Sequence, residues 1–209
     1  MPALITLAFD TATPAPALAL LRGAEPLLER TLPADRGAGR RVAEEIHRAL
    51  VDAGLVVRDV SRIVVGIGPG GFTGLRIGIA TALALGQALD VPVVGVSTLE
   101  ALALGMAGDV PDGGLLVPVI DAKRQEVFTA AYRAAGDGGL EVVAEPRAAT
   151  VSGMAELTRP SPQALSRRPS GITPLSSLVH TSKSTSAPRC TAWLAQMPGG
   201  RKSATSNGA

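Results

Sequence analysis

The chain has 209 residues, 24 of them Gly and 16 Pro, with 46% hydrophobic, 2% aromatic and 18% charged residues, so one large domain or two small lobes must build their cores from Ala, Val, Leu and Ile. So few aromatics argue against base-stacking nucleic-acid modules, and a lone Cys190 excludes a disulfide framework or a cysteine metal site within one chain. The net charge of +2 hides an asymmetry, because the residues up to Glu156 carry a net −5 and those beyond it +7.

In chain order, three strand-like runs come first, Leu4 to Phe9, Pro16 to Leu21 and Leu27 to Leu32, with turn chemistry at Thr13-Pro14 and Arg22-Gly23. Their short connections predict an antiparallel meander. Arg41 to Ala53 reads as a helix with Val42, Ile46, Ala49 and Leu50 at helical spacing and Gly54 as its stop. Ile63 to Ile67 is a strand buried on both faces, and a Gly-rich turn then opens a long helix from Phe72 to Leu89. Val93 to Val96 is a short strand, and Ser97 with Glu100 has the spacing of a capping box at the start of the next helix. Leu115 to Ile120, Glu126 to Arg133 and Leu140 to Ala144 are strands again. This order predicts an α/β fold with a mixed sheet and flanking helices in residues 1–108, and a second lobe starting over residues 109–158. Residues 159–209 are basic and rich in Ser, Pro and Thr, with no sustained period. They read as disordered or out of frame, or as a basic tail for RNA, and they leave the second lobe incomplete. The apolar stretches are broken before the roughly 18 residues of a membrane span, and no basic leader follows Met1. The expected location is cytoplasmic, without a membrane partner.

Two motifs suggest anion chemistry. Asp10-Thr11-Ala12-Thr13 ends the first strand, where a carboxylate, hydroxyls and turn amides suit a phosphate with its Mg²⁺, or simply close a hairpin. Gly66, Gly68 and Gly71 satisfy a dinucleotide spacing, yet Pro69 removes a donor and no acidic residue ends the following strand. A Walker lysine is also missing. A small ATPase or kinase using Asp10, Thr11, Thr13, Gly68 and Gly70 for Mg-nucleotide is therefore the alternative reading. Metal-peptidase chemistry is argued against by the two histidines, His47 and His180, which are far apart in sequence. Asp121 and Glu126 flank Lys123 and Arg124 either as an acid–base pair or as a charged turn. The Phe72 to Leu89 helix has Arg76 as almost its only charge and lacks the polar face of an exposed helix. Gly74, Gly78, Ala82 and Gly86 form a smooth ridge along it, suited to close packing. One apolar face can cover the chain's own sheet; the rest is covered by its other elements or by another subunit.

The blocks Phe9-Asp10-Thr11-Ala12-Thr13, Gly68-Pro69-Gly70-Gly71-Phe72-Thr73-Gly74-Leu75-Arg76-Ile77-Gly78, Gly95-Val96-Ser97-Thr98-Leu99-Glu100 and Ile120-Asp121-Ala122-Lys123-Arg124-Gln125-Glu126-Val127 resemble the TsaB (YeaZ) family over about residues 3 to 145. The resemblance implies an actin-like ATPase, ribonuclease H-like fold. It implies a non-catalytic role in modifying tRNA with threonylcarbamoyladenosine, beside TsaD as catalytic subunit and with TsaE joining, so that tRNA is met indirectly through the complex. It also implies pairing with TsaD, or with a second copy as a homodimer, through two helices. On this reading the partner interface comprises Val42, Ile46, Ala49, Leu50, Phe72, Leu75, Arg76, Ile79, Ala82, Leu83 and Gly86, with no catalytic or metal-ligating residue in the chain. No cofactor is required by the chain itself, and Mg-ATP or ADP in the complex is left open. Gly71 stands where the family usually has Ser, and Gly37-Ala38-Gly39-Arg40 where it often has a His-containing stretch. Arg36, Arg40 and Arg41 are phosphate-contact candidates or a solvated helix start.

Overall fold

The structure is a computed structural model that describes residues 4–34, 41–150 and 152–153. The expectations for the tail, for His180 and Cys190, and for Arg36 to Arg40 lie outside the described residues. Strands β1 (Ile5–Asp10), β2 (Ala17–Arg22) and β3 (Glu25–Thr31) form the antiparallel meander, with Leu7 opposite Leu20 and Leu20 opposite Leu28. Helix α1 (Val42–Asp52) crosses over to β4 (Val60–Gly66), which runs parallel to β1 with Leu7 opposite Ile63. Helix α2 (Phe72–Leu89) then leads to β5 (Val93–Val96), parallel to β4. The strand order β3-β2-β1-β4-β5 in a mixed sheet with these helices is the ribonuclease H-like arrangement of the actin-like fold.

Helix α3 (Thr98–Met106) joins this sheet to a second one, and the Ser97 hydroxyl caps it by accepting the Glu100 N–H. In the second sheet β6 (Leu115–Leu116) and β7 (Val119–Lys123) pair with β8 (Glu126–Ala134), which also pairs with β9 (Leu140–Thr150), all antiparallel. The run expected over Leu115 to Ile120 is broken in the structure between Leu116 and Val119, where Pro118 has no N–H for the ladder. Two of the apolar clusters share α3. Leu104 lies with Ala8, Ala19, Leu21 and Val64 of the first sheet, whereas Leu99 and Ala103 lie with Leu116, Ile120, Ala130 and Tyr132 of the second.

The opposite face of the first sheet supplies the main core. Ile5, Leu7, Phe9, Leu18, Leu20, Ile63 and Val65 are covered by Val42, Ile46, Ala49 and Leu50 of α1 and by Ala82 of α2. Val42, Ile46, Ala49 and Leu50, expected at the partner interface, are at most 3% exposed within the chain itself and pack on its own sheet. The outward face of α1 instead carries Glu44, His47 and Arg48. Arg30 of β3 reaches that helix, donating to Asp52 at 2.6 Å and Glu45 at 3.4 Å, and Arg48 pairs with Glu44 at 2.6 Å and Glu45 at 2.8 Å.

The small-residue ridge of α2 also packs closely within the chain. Ala82 and Gly86 are buried, and Gly74, Gly78 and Gly86 press on the chain's own strands and their connections. A Cβ at Gly74 would collide with the Thr11 carbonyl, one at Gly78 with the Thr11 hydroxyl, and one at Gly86 with the Val93 side chain. The 18 residues of α2 are long and apolar enough, by length and composition, to cross a membrane, against the sequence expectation. Its ridge, however, is laid on the sheet. Because the Thr11 carbonyl is backbone and cannot swing aside, Gly74→Ala is expected to destabilise the fold by about 2 kcal/mol or more. A urea-denaturation midpoint lowered accordingly, set against an unchanged midpoint for the exposed Ala80→Ser, checks this.

Candidate functional site

Two places hold the residues singled out by the sequence. The first is the mouth of the first sheet, where β1, β4 and the start of α3 meet. Asp10 ends β1 and each of its carboxylate oxygens accepts a hydrogen bond: Oδ1 accepts the Ala12 N–H at 2.6 Å and Oδ2 accepts the Thr98 hydroxyl at 2.6 Å. Gly66 is glycine because a side chain there would overlap this carboxylate. Burial pushes the Asp10 pKa above its ordinary 3.8, while the Thr98 hydroxyl and the Ala12 N–H hold it down in part. Thr11 is buried and its hydroxyl donates to the Gly74 carbonyl at 2.7 Å, and the Thr13 hydroxyl donates to the Ala15 carbonyl at 2.9 Å.

The Gly-rich turn is likewise closed on the chain. Gly68 adopts φ +93, a left-handed conformation that favours glycine, and its carbonyl accepts the Thr98 N–H at 2.8 Å. The Gly71 N–H donates to the Ala12 carbonyl at 2.7 Å, and Gly70 packs so near Ala12 that no Cβ would fit. Beside this junction is a cavity of about 40 Å³ among Phe9, Asp10, Ala17, Val96, Ala101 and Leu102. That is room for about three waters, far below the 300 Å³ or more of a cofactor pocket. Among the described residues no group of three His, Cys, Asp or Glu could hold a metal. As placed, Asp10, Thr11 and Thr13 direct their polar groups at the chain itself. Asp10, Thr11, Thr13, Gly68 and Gly70 are brought together, but as a knot tying two strands to α2 and α3.

The second place is the outward face of α2. Phe72 is 72% and Leu83 57% exposed, although both are large and apolar. Leu75 and Ile79 are half-buried at the edge of this face, and Arg76, Ala80 and Ala84 are exposed along it. The Arg76 guanidinium lies over the Phe72 ring, 5.2 Å from its centroid. Phe72, Leu75, Arg76, Ile79 and Leu83 lie on this face or at its edge, whereas Val42, Ile46, Ala49, Leu50, Ala82 and Gly86 are buried within the chain. The sequence reading missed Thr98 as the partner of Asp10. The signal was weak, a threonine one residue past a helix cap and 88 positions from the carboxylate. The Asp121 to Glu126 segment is a charged turn: Lys123 pairs with Asp121 at 2.7 Å and lowers its pKa, and Lys123, Arg124 and Gln125 all have positive φ.

Comparison with known proteins agrees with this architecture. The chain is 35% identical over 127 residues to the tRNA threonylcarbamoyladenosine biosynthesis protein TsaB of Bacillus subtilis, covering 61% of this chain and 54% of that protein. It is 42% identical over 128 residues to an uncharacterized protein of Mycobacterium tuberculosis, covering 60% and 58%. The solved structure of YeaZ from Pseudomonas aeruginosa superposes with a TM-score of 0.63 at 30% identity, covering 69% of this chain and 67% of that one. The model of the family described as TsaD, tRNA N6-adenosine threonylcarbamoyltransferase, matches residues 33–184. The chain belongs to the TsaB (YeaZ) family, inside the TsaD group that this model describes. It spans little more than half the length of the curated relatives it matches. The TsaD match runs past residue 158, beyond the change in composition, whereas the relative in B. subtilis matches over 127 residues.

The raised pKa of Asp10 gives this member of the TsaB family a pH signature. A carboxyl whose folded pKa lies above its unfolded value holds its proton more tightly when folded, so its contribution is greatest at low pH and is lost as pH rises through the folded pKa. Asp10→Asn, which keeps the shape without the charge, is expected to gain stability relative to wild type as pH rises from about 4, levelling off above the folded pKa. Urea denaturation of both proteins across that range measures the difference; a constant difference contradicts the assignment.

Proposed function

We propose that the chain is a non-catalytic partner subunit of the tRNA threonylcarbamoyladenosine modification complex, binding and activating TsaD through the outward face of α2. The observation that carries this reading is the exposure of Phe72 and Leu83 on a helix with no acidic residue and a single cation. Large apolar side chains in one stripe lose surface to water only when something covers them, and burial is favourable by about 25 cal/mol per Å². The names of the relatives supply the pathway, and the knot around Asp10 speaks against nucleotide chemistry by the chain itself. On this reading TsaE joins the assembly, tRNA is met through the complex, no cofactor is required by this chain, and the complex works in the cytoplasm. On this reading the interface is the outward stripe of α2.

Leu83→Glu is expected to abolish co-purification with TsaD while leaving the folding free energy within about 0.5 kcal/mol of wild type, as surface substitutions do. Ile46→Glu, by contrast, places a charge in the main core and should prevent folding outright. Gel filtration of each variant with TsaD, together with its circular dichroism, separates the two behaviours. Normal complex formation by Leu83→Glu would refute the proposal.

A further inference from the structure

Helix α3 stands between the two sheets, and the helical period divides its residues between them. Thr98, Ala101 and Leu104 face the first sheet, whereas Leu99, Ala103 and Met106 lie with the second. Apolar contact is non-directional, so packing alone lets a helix roll between two sheets. Hydrogen bonds are directional, and the start of α3 carries them on both sides. Toward the first sheet, the Thr98 hydroxyl donates to Asp10 Oδ2 at 2.6 Å and the Thr98 N–H to the Gly68 carbonyl at 2.8 Å. Toward the second, the Ser97 hydroxyl meets the Tyr132 hydroxyl of β8. Ser97 accepts the Glu100 N–H with its oxygen, which leaves its own proton for the Tyr132 oxygen. Thr98 is 2% and Tyr132 3% exposed, so both joints are sheltered from water, where hydrogen bonds are strongest.

We infer that Ser97 and Thr98 form a two-sided clamp that sets the angle between the two sheets, Thr98 holding the first through Asp10 and Ser97 holding the second through Tyr132. The joints act in series. The first sheet is fastened to α3 and α3 to the second sheet, so opening either joint frees the angle. Leu140 of β9 touches both apolar clusters and limits how far the sheets can part, but an apolar contact does not set their rotation. Burial pushes the Tyr132 pKa above its ordinary 10, the Ser97 hydroxyl holds it down in part, and Glu100 and Glu145 add to the rise. The phenol therefore keeps its proton at neutral pH and the joint carries no charge. With the angle fixed in the free chain, any partner that touches both lobes meets a surface already formed and has no closure to drive. The inference concerns the chain alone and is independent of which partner covers α2.

Pulsed electron-spin resonance on the full chain reads the angle as a distance between nitroxides at Ala43→Cys on α1 and Ala148→Cys on β9, both exposed positions. Cys190→Ser removes the native thiol, and dilution with unlabelled chain removes distances between copies. With the clamp intact, a single narrow distance is expected. Thr98→Val, close in shape but without the hydroxyl, and Tyr132→Phe should each lose that single distance to a broad distribution. Thr98→Ser, which keeps the hydroxyl, should retain it. A pair within the first lobe, Ala43→Cys with Arg22→Cys, should stay narrow in every variant, which separates a freed angle from a loosened fold. Should Thr98→Val not fold, Tyr132→Phe decides alone, since it removes one oxygen and leaves the packing in place. The clamp is overturned if the intact chain already gives a broad distribution, or if either hydroxyl deletion keeps the single distance. It is also overturned if Thr98→Ser loses the distance as Thr98→Val does, or if the within-lobe pair broadens together with the other.

Discussion

The approach of α2 to the end of β1 is the constraint on which the remaining arrangement depends. Gly74 and Gly78 let the helix backbone rest on Thr11, whose hydroxyl donates to the Gly74 carbonyl. A helix held that close can bury only a narrow strip. In α2 the fully buried strip is Gly78, Ala82 and Gly86, with Ile77, Leu85 and Leu89 partly buried against the core, and Phe72 and Leu83 are turned outward. The outward apolar stripe is thus a geometric consequence of the close contact inside. The same contact fixes the loop before the helix, because the Gly71 N–H and Gly70 are held against Ala12.

The mouth of the sheet follows from this closure. Asp10 accepts from Ala12 and Thr98, Thr11 and Thr13 give their hydroxyls to backbone carbonyls, and a cavity of about 40 Å³ lies beside them. The buried carboxyl carries an electrostatic cost, visible in its raised pKa, and in exchange ties β1 to the first turn of α3. Since α3 packs on both sheets through opposite faces, Asp10 also helps to position the second sheet relative to the first.

Much of the fold was legible in the sequence, because apolar period and punctuation agree. The meander, both Val- and Ile-rich parallel strands, the full extent of α2 and the serine cap of α3 all follow from local pattern. What the sequence could not give was allocation. The apolar positions of α1 and the outer positions of α2 look alike as hydrophobic spacing, yet Ile46 lies on Leu7 and its neighbours while Leu83 faces water, a difference fixed by which strands lie beneath each helix. The ridge of Gly74, Gly78, Ala82 and Gly86 was readable as a close-packing surface, but not as one already occupied by Thr11 and Val93. The pairing of Asp10 with Thr98 was hidden for the same reason, since a hydrogen bond across 88 positions leaves no local trace.

Hydroxyl-radical footprinting of the free chain and of its mixture with TsaD reads side-chain exposure directly and so bears on the central claim. Phe72 and Leu83 should be labelled in the free chain and shielded in the mixture, with Ile46 and Leu50 unlabelled in both. Equal labelling of Phe72 and Leu83 with and without TsaD would contradict the account.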